Sequence, residues 1–228
     1  MKYVYKIVCA ILAVVVISIV FFSPIIGVRL YSQTASLIFS MAVQNGDEEM
    51  VEKYVENNGE IPEHISETTS LYDIAFGDTN TFLSGFLRYF DIENNEELKV
   101  LVAPVIAFGV AIVAVVLCAL AVIVFGLFSK NNRRVIYSCI AGIGSSLLAF
   151  ECFEVIEDMF VSGRITLETI TQEWWMGMLG DIVNFELLEP MTAIPIIFAV
   201  VIVWTLIYNY TLTPEQKRER KLMLGEAD

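Results

Sequence analysis

Charge is scarce in this chain. Only 18% of its 228 residues are charged, while 56% are hydrophobic. Soluble domains run at about 25% charged and roughly 45–50% apolar. That balance excludes a disordered chain and an ordinary cytosolic enzyme. Basic residues are the scarcer sign: 14 Lys and Arg stand against 27 Asp and Glu, for a net charge of -13. Nucleic acid is therefore excluded as a partner, because its phosphates need a basic face. Histidine occurs once, as His64, so a Ser–His–Asp triad is hard to build. The four cysteines, Cys9, Cys118, Cys139 and Cys152, all fall in or at the ends of apolar runs. Their spacing matches no zinc pattern, and they read as small packing residues, not a disulfide framework. H-E-x-x-H, G-x-S-x-G, Walker A and G-x-G-x-x-G motifs are missing too. No catalytic, cofactor or metal residue is assigned, and the chain reads as non-enzymatic.

What the chain does have is long apolar runs. Mean hydropathy is +0.65, and four stretches reach the ~20 residues that a bilayer core requires of a helix. They are about Val4–Gly27, Val100–Phe128, Val135–Phe153 and Pro190–Tyr210. The second would be roughly 43 Å long as a helix, more than a core of about 30 Å, so it tilts or projects. Pro195 in the fourth is a candidate kink. The first run is too long for a signal peptide and no A-x-A site follows, so it reads as a retained anchor. The expected fold class is an all-α integral membrane protein with four transmembrane helices.

Orientation follows from the flanking Lys and Arg. Lys2, Lys6, Lys130, Arg133, Arg134, Lys217, Arg218, Arg220 and Lys221, nine of the 14 basic residues, fall on one side. Both termini are therefore expected in the cytoplasm. Tyr3, Tyr5, Tyr137, Tyr208 and Tyr210 lie near the same helix ends and suit an interfacial aromatic belt. The expected divisions are 1–27 (first span), an acidic outer segment 28–98, spans two and three with a short basic loop over 99–153, a second acidic outer segment 154–189, a fourth span 190–210 and a tail 211–228. The outer segments hold 22 of the 27 acids. A bacterial cytoplasmic membrane is the expected location, since neither outer segment carries an N-x-[ST] site and no sorting tail is evident.

The outer segments are expected to form a small helical extracytoplasmic cap with little β content. Tyr31, Ala35, Ile38 and Ala42 recur at helical spacing; Met50, Val51, Tyr54 and Val55 form a second stripe. Asn45-Gly46 signals a turn, and Asn57-Asn58-Gly59 a stop. Further helices are expected from about Asp78 through Phe90 and over 165–179, with Trp174 and Trp175 as interface anchors or a partner hot spot.

Three constellations are candidates for function. Ser138, Gly142 and Ser146 recur at i, i+4, i+8 in span three, and Ala103, Ala107 and Ala111 do so in span two. Small residues at that spacing let helices approach closely, either within this bundle or against another membrane subunit. Ala141, Ser145 and Ala149 form an adjacent stripe. Glu151, Glu154 and Asp158 share a face at the far end of span three, giving either a solvated acidic face or an oxygen site for a hard cation. His64 and Glu67 would meet in one helical turn, a weak metal pair that needs further ligands. In topology alone, the layout of four spans, a larger first outer segment and a smaller second one is similar to that of claudins. The outer segment lacks that family's Trp and paired Cys, and no Trp precedes Trp174. The tetraspanin layout fits worse, because there the second loop is the large, cysteine-rich one. Neither resemblance transfers a site. The expected role is an accessory, scaffold or interaction subunit, whose partners are the lipid bilayer and another membrane protein or a second copy. An oligomeric transport or channel component is the alternative, with Glu151 lining the pathway.

Overall fold

The computed structural model describes residues 2–24, 26–31, 40, 43–46, 48–56, 58–60, 64–76, 98–129, 131–165 and 183–212. Four helices are long and apolar enough to cross a membrane, as a multi-pass integral membrane protein requires. They are α1 (Lys2–Phe22), α4 (Lys99–Phe128), α5 (Asn132–Val161) and α6 (Glu189–Thr211). Two short helices, α2 (Glu48–Glu56) and α3 (Leu71–Phe76), and three strands, β1 (Ile26–Tyr31), β2 (His64–Thr69) and β3 (Val183–Leu187), complete the described elements. The chain divides into two compact units. One comprises Met1–Ser23, Ala107–Glu151 and Glu189–Asp228; the other comprises Pro24–Ile106 and Cys152–Leu188.

In the first unit the helices form a bundle in which each touches two neighbours. A Cβ placed on Gly126 of α4 would lie 3.4 Å from Cys9 of α1, and α5 touches α6 at Gly142 and Phe198. Arg134 of α5 lies over Phe125 of α4, while α1 and α6 run closest together. The buried positions show how the faces are chosen. Tyr5, Cys9, Ala13, Val16 and Val20 are buried on α1; Val115, Ala119 and Val122 on α4; Val135, Cys139, Gly142, Ser146 and Ala149 on α5; Met191, Ile194, Phe198, Val201 and Thr205 on α6. Every helix shows steps of three and four, the spacing of a knobs-into-holes seam. Hydrophobicity does not separate these seams from the outward side: Cys, Ala, Gly, Ser and Thr lie inward beside Met191, Ile194 and Phe198, while Leu117, Leu148 and Ile196 are exposed. Between helices in lipid, close packing and hydrogen bonds supply the attraction, because lipid tails are as apolar as leucine.

The second unit holds a three-stranded sheet of order β2-β1-β3 with both pairings antiparallel. The register sets Ile26, Val28 and Leu30 opposite Leu187, Phe185 and Val183. The described residues are mainly helical, with the four expected long helices, and this small sheet stands beside them. The first span also ends earlier than expected, at Phe22, because Ser23 precedes Pro24 and a residue before proline is pushed out of the helical region. Ile26 and Gly27 therefore start a strand. Tyr31 closes β1 and does not begin a helix. His64 and Glu67 lie in β2, so the helical turn their pairing required is not formed.

Other local signals appear as the residues suggest. Gly46 has φ 78°, and Asn58 and Gly59 have φ 55° and 78° after α2; the left-handed region suits Asn and Gly. Gly163, at φ 68°, ends α5 after Val161. The Ser70 hydroxyl accepts the Asp73 N–H at 3.1 Å, and the Asp73 carboxylate accepts the Ser70 N–H at 3.3 Å, a reciprocal cap on α3. The helices expected from Asp78 to Phe90 and over 165–179 lie outside the described residues apart from Ile165, a buried bend residue, as do residues 32–39.

Candidate functional site

The polar side chains of the bundle gather at one end, where α1 and α5 begin and α4 and α6 finish. Tyr5 is buried and stacks on Tyr208 with ring centroids 4.2 Å apart and an interplanar angle of 9°. The Thr205 hydroxyl donates to the Val201 carbonyl at 2.7 Å. That uses its only proton, so Tyr5 donates to Thr205 across the longer 3.4 Å contact. The Asn132 side-chain amide donates to the Asn209 carboxamide oxygen at 2.8 Å, tying α5 to α6. Lys6 donates its ammonium to the Leu127 carbonyl. The last turn of α4 carries no basic residue of its own, so α1 supplies the cation that its C-terminal carbonyls favour.

The α4–α5 corner is held by a second set of bonds. The Asn131 N–H donates to the Ser129 hydroxyl at 3.0 Å. The Asn131 side-chain oxygen in turn accepts the Arg133 N–H at 3.0 Å, capping α5. Arg134 lies with its guanidinium carbon 5.8 Å from the Phe125 ring centroid, within cation–π range.

The residues expected to matter separate onto different surfaces. Gly142 is buried, and a Cβ there would fall 2.6 Å from the Phe198 ring. Ser146 is 0% exposed and donates to the Ile143 carbonyl. Ser138 is half-buried and donates to the Arg134 carbonyl at 2.9 Å. On α4, Ala111 is buried, Ala107 half-buried and Ala103 exposed. Glu151, Glu154 and Asp158 are all exposed on α5. Trp174 and Trp175 lie outside the described residues. Among the described residues, no group of three or more His, Cys, Asp and Glu could hold a metal ion. Cys9 and Cys139 are buried, Cys118 and Cys152 half-buried, and all four are free thiols.

The five tyrosines expected in one interfacial belt do not share one environment. Tyr3, Tyr137 and Tyr210 are 81%, 67% and 87% exposed, but Tyr5 is 3% exposed and points inward. The clue was the company it keeps: Lys6, Asn132, Thr205 and Asn209 are polar residues at the ends of apolar runs, and helix ends that come together can satisfy one another. Trp204 Nε1 is the exception, a buried donor without a partner among the described residues. No protein-family model matches the chain, and no curated protein or solved structure matches it.

Proposed function

We propose that this protein is a non-enzymatic accessory, scaffold or interaction subunit of a membrane assembly, with both termini in the cytoplasm and an acidic extracytoplasmic side. The observation that carries the proposal is the outward face of α5. Ala141 and Gly144 are exposed there, and a Cβ built on Gly144 meets nothing within 4 Å. This small-residue gap, flanked by the exposed Ile140, Leu147 and Leu148, admits a knob from a second helix at close range, and Gly142, turned the other way, is already occupied by Phe198. The polar groups at the basic end are engaged with one another, which suits a structural role better than a reactive one. Further along the same α5 face, the exposed Glu151, Glu154 and Asp158 favour a basic protein partner or a cation.

The test is purification in mild detergent through a C-terminal tag, with mass spectrometry and particle mass. A stoichiometric second membrane protein, lost in a Gly144→Leu variant, supports the proposal. A homogeneous particle of this chain alone, unchanged by that substitution, overturns it. The transport reading has one observation in its favour: Glu151 is exposed, so it would face a pathway only between copies. Under that reading Glu151→Gln abolishes flux in liposomes.

A further inference from the structure

We infer that the outward face of α5 seats one transmembrane helix of a different protein, and that this helix carries a Lys or Arg level with Glu151. The inference rests on the subunit reading above and names the chemistry of the partner. Ile140, Gly144, Leu147 and Glu151 follow one another in steps of four, three and four, and all are exposed. That is the spacing with which one helix receives the knobs of another. Space is open to 4 Å where a Cβ on Gly144 would stand. Glu151 comes two turns later on the same side, about 10 Å further along.

Glu151 selects the occupant. Among the described residues its carboxylate forms no hydrogen bond or ion pair. Counted from Asn132 at the polar end of the bundle, it lies about 28 Å along α5, within a hydrocarbon core of about 30 Å. A carboxylate at that depth is costly unless it is paired. The other spans show no counterpart. α1 and α4 contain no Asp or Glu, and Glu189 opens α6, where the macrodipole favours an acid. Glu151 stands well before the end of α5 at Val161 and has no such support. A second copy meets it badly. Copies share one orientation in a membrane, so a symmetric pair through this face sets Glu151 against Glu151, and like charges across an interface repel. The described basic residues of the bundle unit, Lys2, Lys6, Arg133 and Arg134, lie at the opposite end. The charge balance favours a helix from another protein.

The probe is a synthetic transmembrane peptide of leucine and alanine with one Lys, Gln or Glu placed seven residues from the leucine that seats at Gly144. Energy transfer from the labelled full-length protein to each peptide is read in phosphatidylcholine nanodiscs. The Lys peptide is expected to bind about tenfold more tightly than the Gln peptide. Glu151→Gln removes that preference, and Glu151→Lys turns it toward the Glu peptide. Gly144→Leu weakens all three peptides alike. Unfolding temperature in the same nanodiscs checks that the variants fold. Equal binding of the Lys and Gln peptides overturns the inference, as does a Lys preference that persists in Glu151→Gln. So does energy transfer between two labelled copies that is lost in Glu151→Gln. A native subunit that co-purifies equally well with Glu151→Gln leaves the subunit reading standing and overturns this inference alone.

Discussion

Gly142 and Gly144 lie two residues apart on α5 and meet opposite surroundings. At Gly142 the ring of Phe198 occupies the space that a side chain would need, with its nearest atoms 2.6 Å from a Cβ. At Gly144 that space is open to 4 Å. The first glycine belongs to the seam that closes the bundle and the second to the face turned outward. The same residue type thus serves two purposes, and only the helix phase separates them. A glycine in a membrane span leaves room for close approach; it does not say whether the chain's own neighbour fills that room, as at Gly142, or the space stays open, as at Gly144.

The largest expected effect falls on the inward face. Gly142→Leu puts a side chain into the Phe198 ring, and overpacking costs about 1–3 kcal/mol. Unfolding in detergent should show it, with partial recovery when Phe198→Ala is added. Tyr5→Leu should come next, because it removes a stacked ring worth about 0.5–1.5 kcal/mol beyond its area. Asn132→Ala should cost about 0.6 kcal/mol, the mean for hydrogen bonds between membrane helices.

Below these lie substitutions whose value is their silence. Gly144→Leu should leave stability within about 0.5 kcal/mol while abolishing recovery of a partner in the tagged preparation. If it unfolds the protein as Gly142→Leu does, the distinction between the two faces is wrong. Trp204→Phe removes a donor that has no partner among the described residues. Its melting temperature should hold or rise, since a buried unsatisfied N–H carries a desolvation cost.

The four helices were legible because an apolar run of 20 or more residues has few alternatives in water. Their inward faces were not. Val115 and Leu117 are equally apolar, yet one is fully buried and the other 59% exposed. Hydrophobic periodicity carries no phase when both environments are apolar. The small and polar residues carry what phase there is: Gly142 and Ser146 stand out by spacing and lie in the seam, while Ala103, with the same spacing signal, is exposed. The strands were hidden for a different reason. Ile26 follows a long apolar run and reads as its continuation, and β3 is five residues long, too short for alternation to stand out. Register between β1 and its two partners is a long-range fact, visible only once residues near 28 and 185 are brought together.

The α1–α6 seam also sets a timetable. Tyr5 and Thr205 are 200 positions apart, so the ribosome makes one side of the seam at the start and the other near the end. While α4 and α5 are being inserted, the stripe of Tyr5, Cys9, Ala13, Val16 and Val20 has no α6 to meet. The first helix must wait in the membrane with the side that meets α6 uncovered, the state in which partly made proteins are open to wrong partners and to proteolysis. Chains stalled before Glu189 should be short-lived in the cell, and α6 supplied as a separate segment should prolong their lifetime.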